Sequence, residues 1–185
     1  IYKIIIATSK DKKDKKLVNF CKKNKVNFFR GSLHNVAQRF YEAGKLHNAD
    51  AVVRVNGDSP LIDFRIINQG IKIFLKKKPD LVTNIFPRSF PIGQSVEIIK
   101  LDLFRKNLIK FKKKEYKEHI TKYFYKKNRQ FKILNFKNKK NLSNKRIVVD
   151  TAQDFEKIKK IIKKIKNPFD IDLNKIVKLM NNEKI

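Results

Sequence analysis

The stretch Arg54-Val-Asn-Gly-Asp-Ser-Pro-Leu-Ile-Asp63 follows an apolar run, Ala49-Asp-Ala-Val-Val53, and precedes a helix-like segment over 64–75. A strand runs out here and a Gly-Asp pair takes the chain out of the sheet. Gly57 allows a tight turn or a close approach to a ligand. Pro60 pre-sets φ for the bend that follows. Asp58 then has two readings. It is a turn former, or it is a ligand at the carboxyl end of a strand, where open α/β sheets bind their substrates.

Working outward, the first 85 residues alternate between two periodicities. Residues 2–8, 26–31, 50–55 and 80–85 are apolar and rich in β-branched or aromatic side chains, and they read as strands. Residues 14–24, 35–46 and 65–77 carry apolar positions at helical spacing, with Ser32 available to cap the second helix. Strand–helix repetition at this spacing predicts an α/β fold: a mostly parallel mixed sheet with helices on both faces. Beyond it, 86–94 is a loop with two prolines and a glycine, 95–101 a strand, 102–127 a basic helical stretch, and 130–136 and 146–150 two further strands. A helix from 151 ends at Pro168, and a last one covers 172–182.

At 185 residues the chain is expected to form one domain, 1–185. It has no uncharged apolar run long enough to span a membrane. A single cysteine, Cys21, precludes an internal disulfide and suits a reducing, cytoplasmic location. Its helix-like surroundings predict a buried, inert thiol. The net charge of +29 raises nucleic acid as a partner, and residues 100–166 alone carry 24 basic and 6 acidic groups. Yet only eight of the 46 basic residues are arginines, the better side chain for bidentate phosphate and base contacts. Lysine excess with abundant Asn and Ile is what an AT-rich genome writes on any solvent face, so nucleic acid is not the expected partner.

Two aspartates occupy strand-end positions, Asp58 after "VVRVNG" and Asp150 after "RIVV", each followed by a helix. If those strands end near each other, the two carboxylates can share one Mg²⁺, which takes one or two carboxylates and completes its shell with phosphate oxygens and water. The alternatives are a turn role for Asp58 and a capping role for Asp150. Thr151 is a rival cap, because Thr151 and Asp154 have capping-box spacing, which makes Asp154 structural.

The segment "RVNGDSPLID" resembles the "GDxPLI" motif of the bacterial sugar cytidylyltransferases, the group that contains the CMP-KDO and CMP-acylneuraminate synthetases. Further motifs agree in order with the branch named for the spore coat polysaccharide biosynthesis protein SpsF. They are "FRGSLHNVAQRFYEA" (29–43), "DLVTNIFPRSFPIGQSVEII" (80–99), "KEHITKYFY" (117–125) and "RIVVDTAQDFEKIK" (146–159). The resemblance implies a Rossmann-like nucleotidyltransferase that moves CMP from CTP to a sugar or sugar acid, with release of pyrophosphate, in surface polysaccharide synthesis. It implies that Asp58 and Asp150 are the Mg²⁺ ligands and the catalytic carboxylates. Gly57, Asn84, Arg88, Glu97 and His119 fall in matching motifs and are candidates for binding the substrate or shaping its pocket, with Arg88 suited to an anionic sugar or phosphate. Three of them also have a structural reading: Glu97 as the partner of a lysine, Asn84 as a strand end, His119 as a core histidine. A homodimer is the family's common state.

The sequence departs from that pattern in three places. The family opens with a strand and a phosphate loop, "QARxGSxRLPGK", that has no counterpart here. This chain begins, with Ile rather than Met, where the family's second strand would lie. A fragment is therefore expected, missing the first strand and phosphate loop, with an open sheet edge that favours association. Ile92 and Ser95 stand where the branch often has Asp. A catalytically inactive remnant of the fold, or more remotely a basic nucleic-acid binder, are the alternatives.

Overall fold

The computed structural model describes residues 1, 3–167 and 172–182. Pro168, the expected helix breaker, lies outside them. In chain order the elements are β1 (Ile6–Ser9), α1 (Lys15–Lys23), β2 (Phe28–Gly31), α2 (Val36–Leu46), β3 (Ala51–Arg54), α3 (Phe64–Lys77), β4 (Leu81–Thr83) and β5 (Glu97–Lys100). There follow α4 (Leu101–Leu108), α5 (Lys114–Glu118), α6 (Lys122–Lys126), β6 (Ile133–Asn135), α7 (Ala152–Lys163) and α8 (Leu173–Asn182). This is the α/β architecture read from the sequence. β1 pairs with β2 in parallel, Ile6 opposite Phe28 through Ser9 opposite Gly31. A second sheet has the order β3-β5-β4-β6, with β4 and β6 parallel. Among the described residues β1 has β2 as its one strand neighbour and β3 has β5.

The chain divides into two compact units, Ile1–Val52 with Ile99–Phe131, and Val53–Ile98 with Lys132–Ile185. In the first, Cys21 is fully buried on α1, as its surroundings implied. Phe104 of α4 is also fully buried, with the rings of Phe40, Phe111 and Phe124 at 5.6, 5.6 and 6.1 Å. That cluster explains why 102–127 is three helices rather than one. On a single straight helix, Ile120 and Phe124 would lie on roughly the opposite face from Phe104 and Phe111. All four are buried here, so the chain must break and turn between them. The cap of α2 is Asn35 rather than Ser32. Asn35 Oδ1 accepts from the Gln38 amide at 3.0 Å, and Ser32 Oγ accepts from the Asn35 amide one step upstream.

The carboxyl end of β1 is locked by Asp14. Its Oδ2 accepts from Thr8 Oγ1, the Ser9 amide and Ser9 Oγ at 2.7, 2.8 and 2.6 Å. The Ser9 and Thr8 hydroxyls, with the Ser9 amide, hold the carboxyl down to about 2. A carboxyl depressed in the folded state stabilises the protein fully above its ordinary value, and loses that contribution as pH falls from about 4 to about 2. For a part-exposed carboxylate with three donors the contribution is about 1–2 kcal/mol. Asp14→Asn is therefore expected to lower stability by that amount at pH 7 and to have no effect near pH 2, as read by urea unfolding at both values.

In the second unit the sheet packs on α3 and α7 through a core that includes Ile66, Val82, Val96, Ile98, Phe136 and Ile161. The segment 146–150, expected as a strand, forms no continuous ladder. Arg146 bridges Ile92 in parallel, and the Ile147 amide donates to Ile92 O at 2.7 Å. The Val149 amide then donates to Asp58 O at 2.9 Å. The segment changes partner between two loops, so consecutive rungs never accumulate.

Candidate active site

The stretch 54–63 leaves β3 at Arg54 and turns through Asn56–Ser59, where the Ser59 amide donates to Asn56 O at 3.3 Å. Asp63 ends it. This buried carboxylate caps α3 by accepting from the Arg65 amide at 2.9 Å, and its other oxygen accepts from the Leu173 amide at 3.0 Å. Gly57 is exposed, and a Cβ built on it meets nothing within 4 Å. Its φ is not in the left-handed region. The turn therefore does not require glycine here, and close approach by a molecule from outside is the reading of Gly57 that stays open.

Asp58 is half-buried, and its Oδ1 accepts from Ser59 Oγ at 2.8 Å. The bond from the Val149 amide to Asp58 O sets the chain carrying Asp150 directly alongside this turn. Asp150 does not cap α7. Thr151 does, accepting from the Asp154 amide at 3.1 Å, while Asp154 Oδ2 accepts from the Thr151 and Asp150 amides at 3.0 and 3.1 Å. The capping box is complete, and Asp154 is structural. The Asp150 amide, before the Thr151 groups, holds the Asp154 carboxyl below the usual range. The Asp150 carboxylate accepts from Arg146, whose guanidinium is raised chiefly by that contact.

Asp58 Oδ2 and Asp150 Oδ1 have no hydrogen-bond partner among the described residues. Two hard-oxygen groups, each with an uncommitted lone-pair site, on segments joined by a main-chain bond, fit a divalent ion such as Mg²⁺ that takes one or two carboxylates and fills its shell with water and phosphate oxygens. Among the described residues no cluster of three or more His, Cys, Asp or Glu side chains forms a closed metal cage.

The remaining sequence candidates divide. Asn84 is fully buried with both ends of its amide engaged, Nδ2 donating to Gln94 O at 2.7 Å and Oδ1 accepting from the Val96 amide at 2.9 Å. It clamps the two ends of the 84–96 loop. Glu97 is 1% exposed and accepts from Arg54 Nη1 at 2.6 Å. Arg88 donates to Pro91 O at 3.3 Å and to Ser95 Oγ at 3.1 Å, bracing the loop in which it sits. His119 lies in the first unit, exposed at the end of α5, and is not a core histidine. Sequence reasoning missed Gln94. It is fully buried, accepts from the Asp63 amide at 2.9 Å and donates to Leu61 O at 2.7 Å, so it ties the Asp58 turn to the 84–96 loop. A glutamine in a proline-rich loop gives no periodic signal that would have marked it.

Comparison with known proteins bears on the fold and the family. A cytidylyltransferase from Leptospira borgpetersenii superposes with a TM-score of 0.90 at 30% identity, over 96% of this chain and 75% of that one. Molybdopterin-guanine dinucleotide biosynthesis protein A from Archaeoglobus fulgidus, at a TM-score of 0.53 and 11% identity over 85% of this chain and 78% of that one, shares the fold. An uncharacterized protein of Methanocaldococcus jannaschii is 31% identical over 96% of this chain and 72% of its own length. The spore coat polysaccharide biosynthesis protein SpsF of Bacillus subtilis is 24% identical over 96% and 74%. The cytidylyltransferase family model matches residues 1–185. The chain belongs to the cytidylyltransferase family, nucleotidyltransferases that take CMP from CTP.

Proposed function

We propose that the protein transfers CMP from CTP to a sugar or sugar acid, releasing pyrophosphate, in the SpsF-like manner and in the service of surface polysaccharide synthesis. The reading is carried by the main-chain bond that sets the Asp150 segment against the Asp58 turn. It is supported by the family match along the whole chain and by the 24% likeness to SpsF.

Asp58 and Asp150 would hold Mg²⁺. When bound, the ion stabilises charge that builds on the α-phosphate and keeps nucleophile and leaving group in line. Arg146, bonded to the Asp150 carboxylate, orients it. Thr151 and Asp154 fix the helix start directly after it, so Asp150 is presented by a rigid corner. Gly57 leaves room for the substrate at the turn. Asn84 and Glu97 act by shaping the walls, since their polar atoms are engaged by protein. Arg88 is held at its loop by Pro91 and Ser95, and its charge would suit an acidic sugar or a phosphate. Among the described residues His119 makes no side-chain hydrogen bond, and its candidacy rests on the family motif alone.

The test is pyrophosphate release and CMP-sugar formation from CTP with a panel of neutral sugars and sugar acids. It is run on this chain and on a version joined to the additional segment of the Leptospira enzyme. Cytidylylation of one sugar class, dependent on Mg²⁺, is expected. A chain that binds CTP·Mg but forms no product with any sugar in either version would instead be an inactive remnant.

A further inference from the structure

Arg54 has no part in the reading above, yet its placement is unusual. It is the last residue of β3, two residues before the Asn56–Ser59 turn that carries Asp58. Its partner Glu97 opens β5, the neighbouring strand, and is 1% exposed, while the arginine side chain is 23% exposed. One donor, Nη1, meets Glu97 Oε2 at 2.6 Å. The guanidinium makes no other hydrogen bond to the described residues. A planar group with five N–H donors is thus gripped at one corner by a buried carboxylate and reachable from solvent elsewhere.

A counter-ion whose only task was to neutralise Glu97 would need none of that exposure. Fixing one corner removes rotamer freedom before a ligand arrives, so remaining donors meet an anion with less loss of entropy. The other arginines beside the turn and its loop are engaged with protein oxygens: Arg146 with Asp150 and Asp154, Arg88 with Pro91 and Ser95. We propose that Arg54 is a phosphate-binding residue for the triphosphate of the nucleotide, and that Glu97 is the positioning residue that aims it. The inference rests on the cytidylyltransferase reading, but an anion probe separates the two.

Titration calorimetry at about 0.15 M salt, where bulk attraction to a strongly basic surface is screened, compares metal-free tripolyphosphate with CTP·Mg. The unsubstituted chain is expected to bind both. Arg54→Met takes a charged contact from the buried Glu97 carboxylate and endangers folding, so Arg54→Met is also made together with Glu97→Met, which removes both members of the pair. That folded double variant is expected to bind both ligands at least about tenfold more weakly, since a lost charge-assisted contact is worth about a factor of ten or more. Arg54→Lys, which keeps charge but loses the fork, is expected to fall between. Lys160→Met on the exposed side of α7 controls for bulk charge and leaves binding unchanged. Tripolyphosphate bound as tightly by the double variant as by the unsubstituted chain overturns the proposal, as does failure of the unsubstituted chain to bind either ligand. Arg54-dependent tripolyphosphate binding without CTP·Mg binding upholds the anion site and removes the CTP reading alone.

Discussion

Asp58→Asn is expected to lower CMP transfer by on the order of a thousandfold or more while leaving the fold intact. Removing one carboxylate from a two-carboxylate Mg²⁺ site takes away much of the charge that holds the ion against phosphate, and loss of such electrostatic stabilisation typically costs about 10²–10³ or more in rate. The substitution is conservative for structure. The amide oxygen can still accept from Ser59 Oγ, and the main-chain oxygen still accepts from the Val149 amide. Side-chain hydrogen bonds to a half-exposed residue contribute about 1 kcal/mol at most, so the melting temperature should shift by only a few degrees. Assay and thermal melt are read together. Activity lost with stability retained supports the metal role. Activity retained removes Asp58 from the mechanism.

Gly93→Ala is expected to have the largest effect on stability, a loss of about 3 kcal/mol or more. Gly93 has φ +99, a region that L side chains rarely adopt, and a Cβ there would stand 2.1 Å from Ile147 O. Strain of about 1–3 kcal/mol from the backbone alone adds to a collision with a main-chain atom that has no rotamer by which to escape. The collision falls on the segment that carries Asp150, because Ile147 also donates its amide to Ile92 O. The variant should therefore weaken divalent-ion binding as well as unfold at lower urea. A lower midpoint with unchanged ion affinity would separate the 92–93 loop from the placement of Asp150.

These two residues also illustrate what the sequence made legible. The strand–helix alternation was readable because the segments 2–8, 50–55 and 80–85, which contain most of β1 and all of β3 and β4, are rich in apolar side chains, and because α7 announces itself with Thr151 and Asp154 at capping spacing. Most boundaries lie inside the expected ones, while β1 is displaced along the chain, Ile6–Ser9 against the expected 2–8. What was not readable depends on contacts distant in sequence. The 146–150 segment looks like a strand by composition, but its partners are two separate loops. The break at 109–113 carries no Pro or Gly, and follows only from the need to bury Phe104, Phe111, Ile120 and Phe124 together. In the site, Asp58 and Asp150 stood out through their strand-end positions and a family resemblance. The Arg54–Glu97 pair spans 43 residues and two strands, and no local pattern encodes it. Asn84 and Glu97 were singled out by their motifs as candidates for binding the substrate or shaping its pocket; their polar atoms are engaged by the protein itself, which a motif cannot disclose.

The most direct test of the account is whether one divalent ion binds through both carboxylates. Mn²⁺ can report this by electron paramagnetic resonance of the free ion, titrated against the unsubstituted chain, Asp58→Asn, Asp150→Asn and the double variant, each checked for folding by circular dichroism. One ion per chain is expected, weakened at least about tenfold by either single change, with the double variant little worse than either because the two groups serve one site. Undiminished Mn²⁺ binding by the folded double variant would contradict the account.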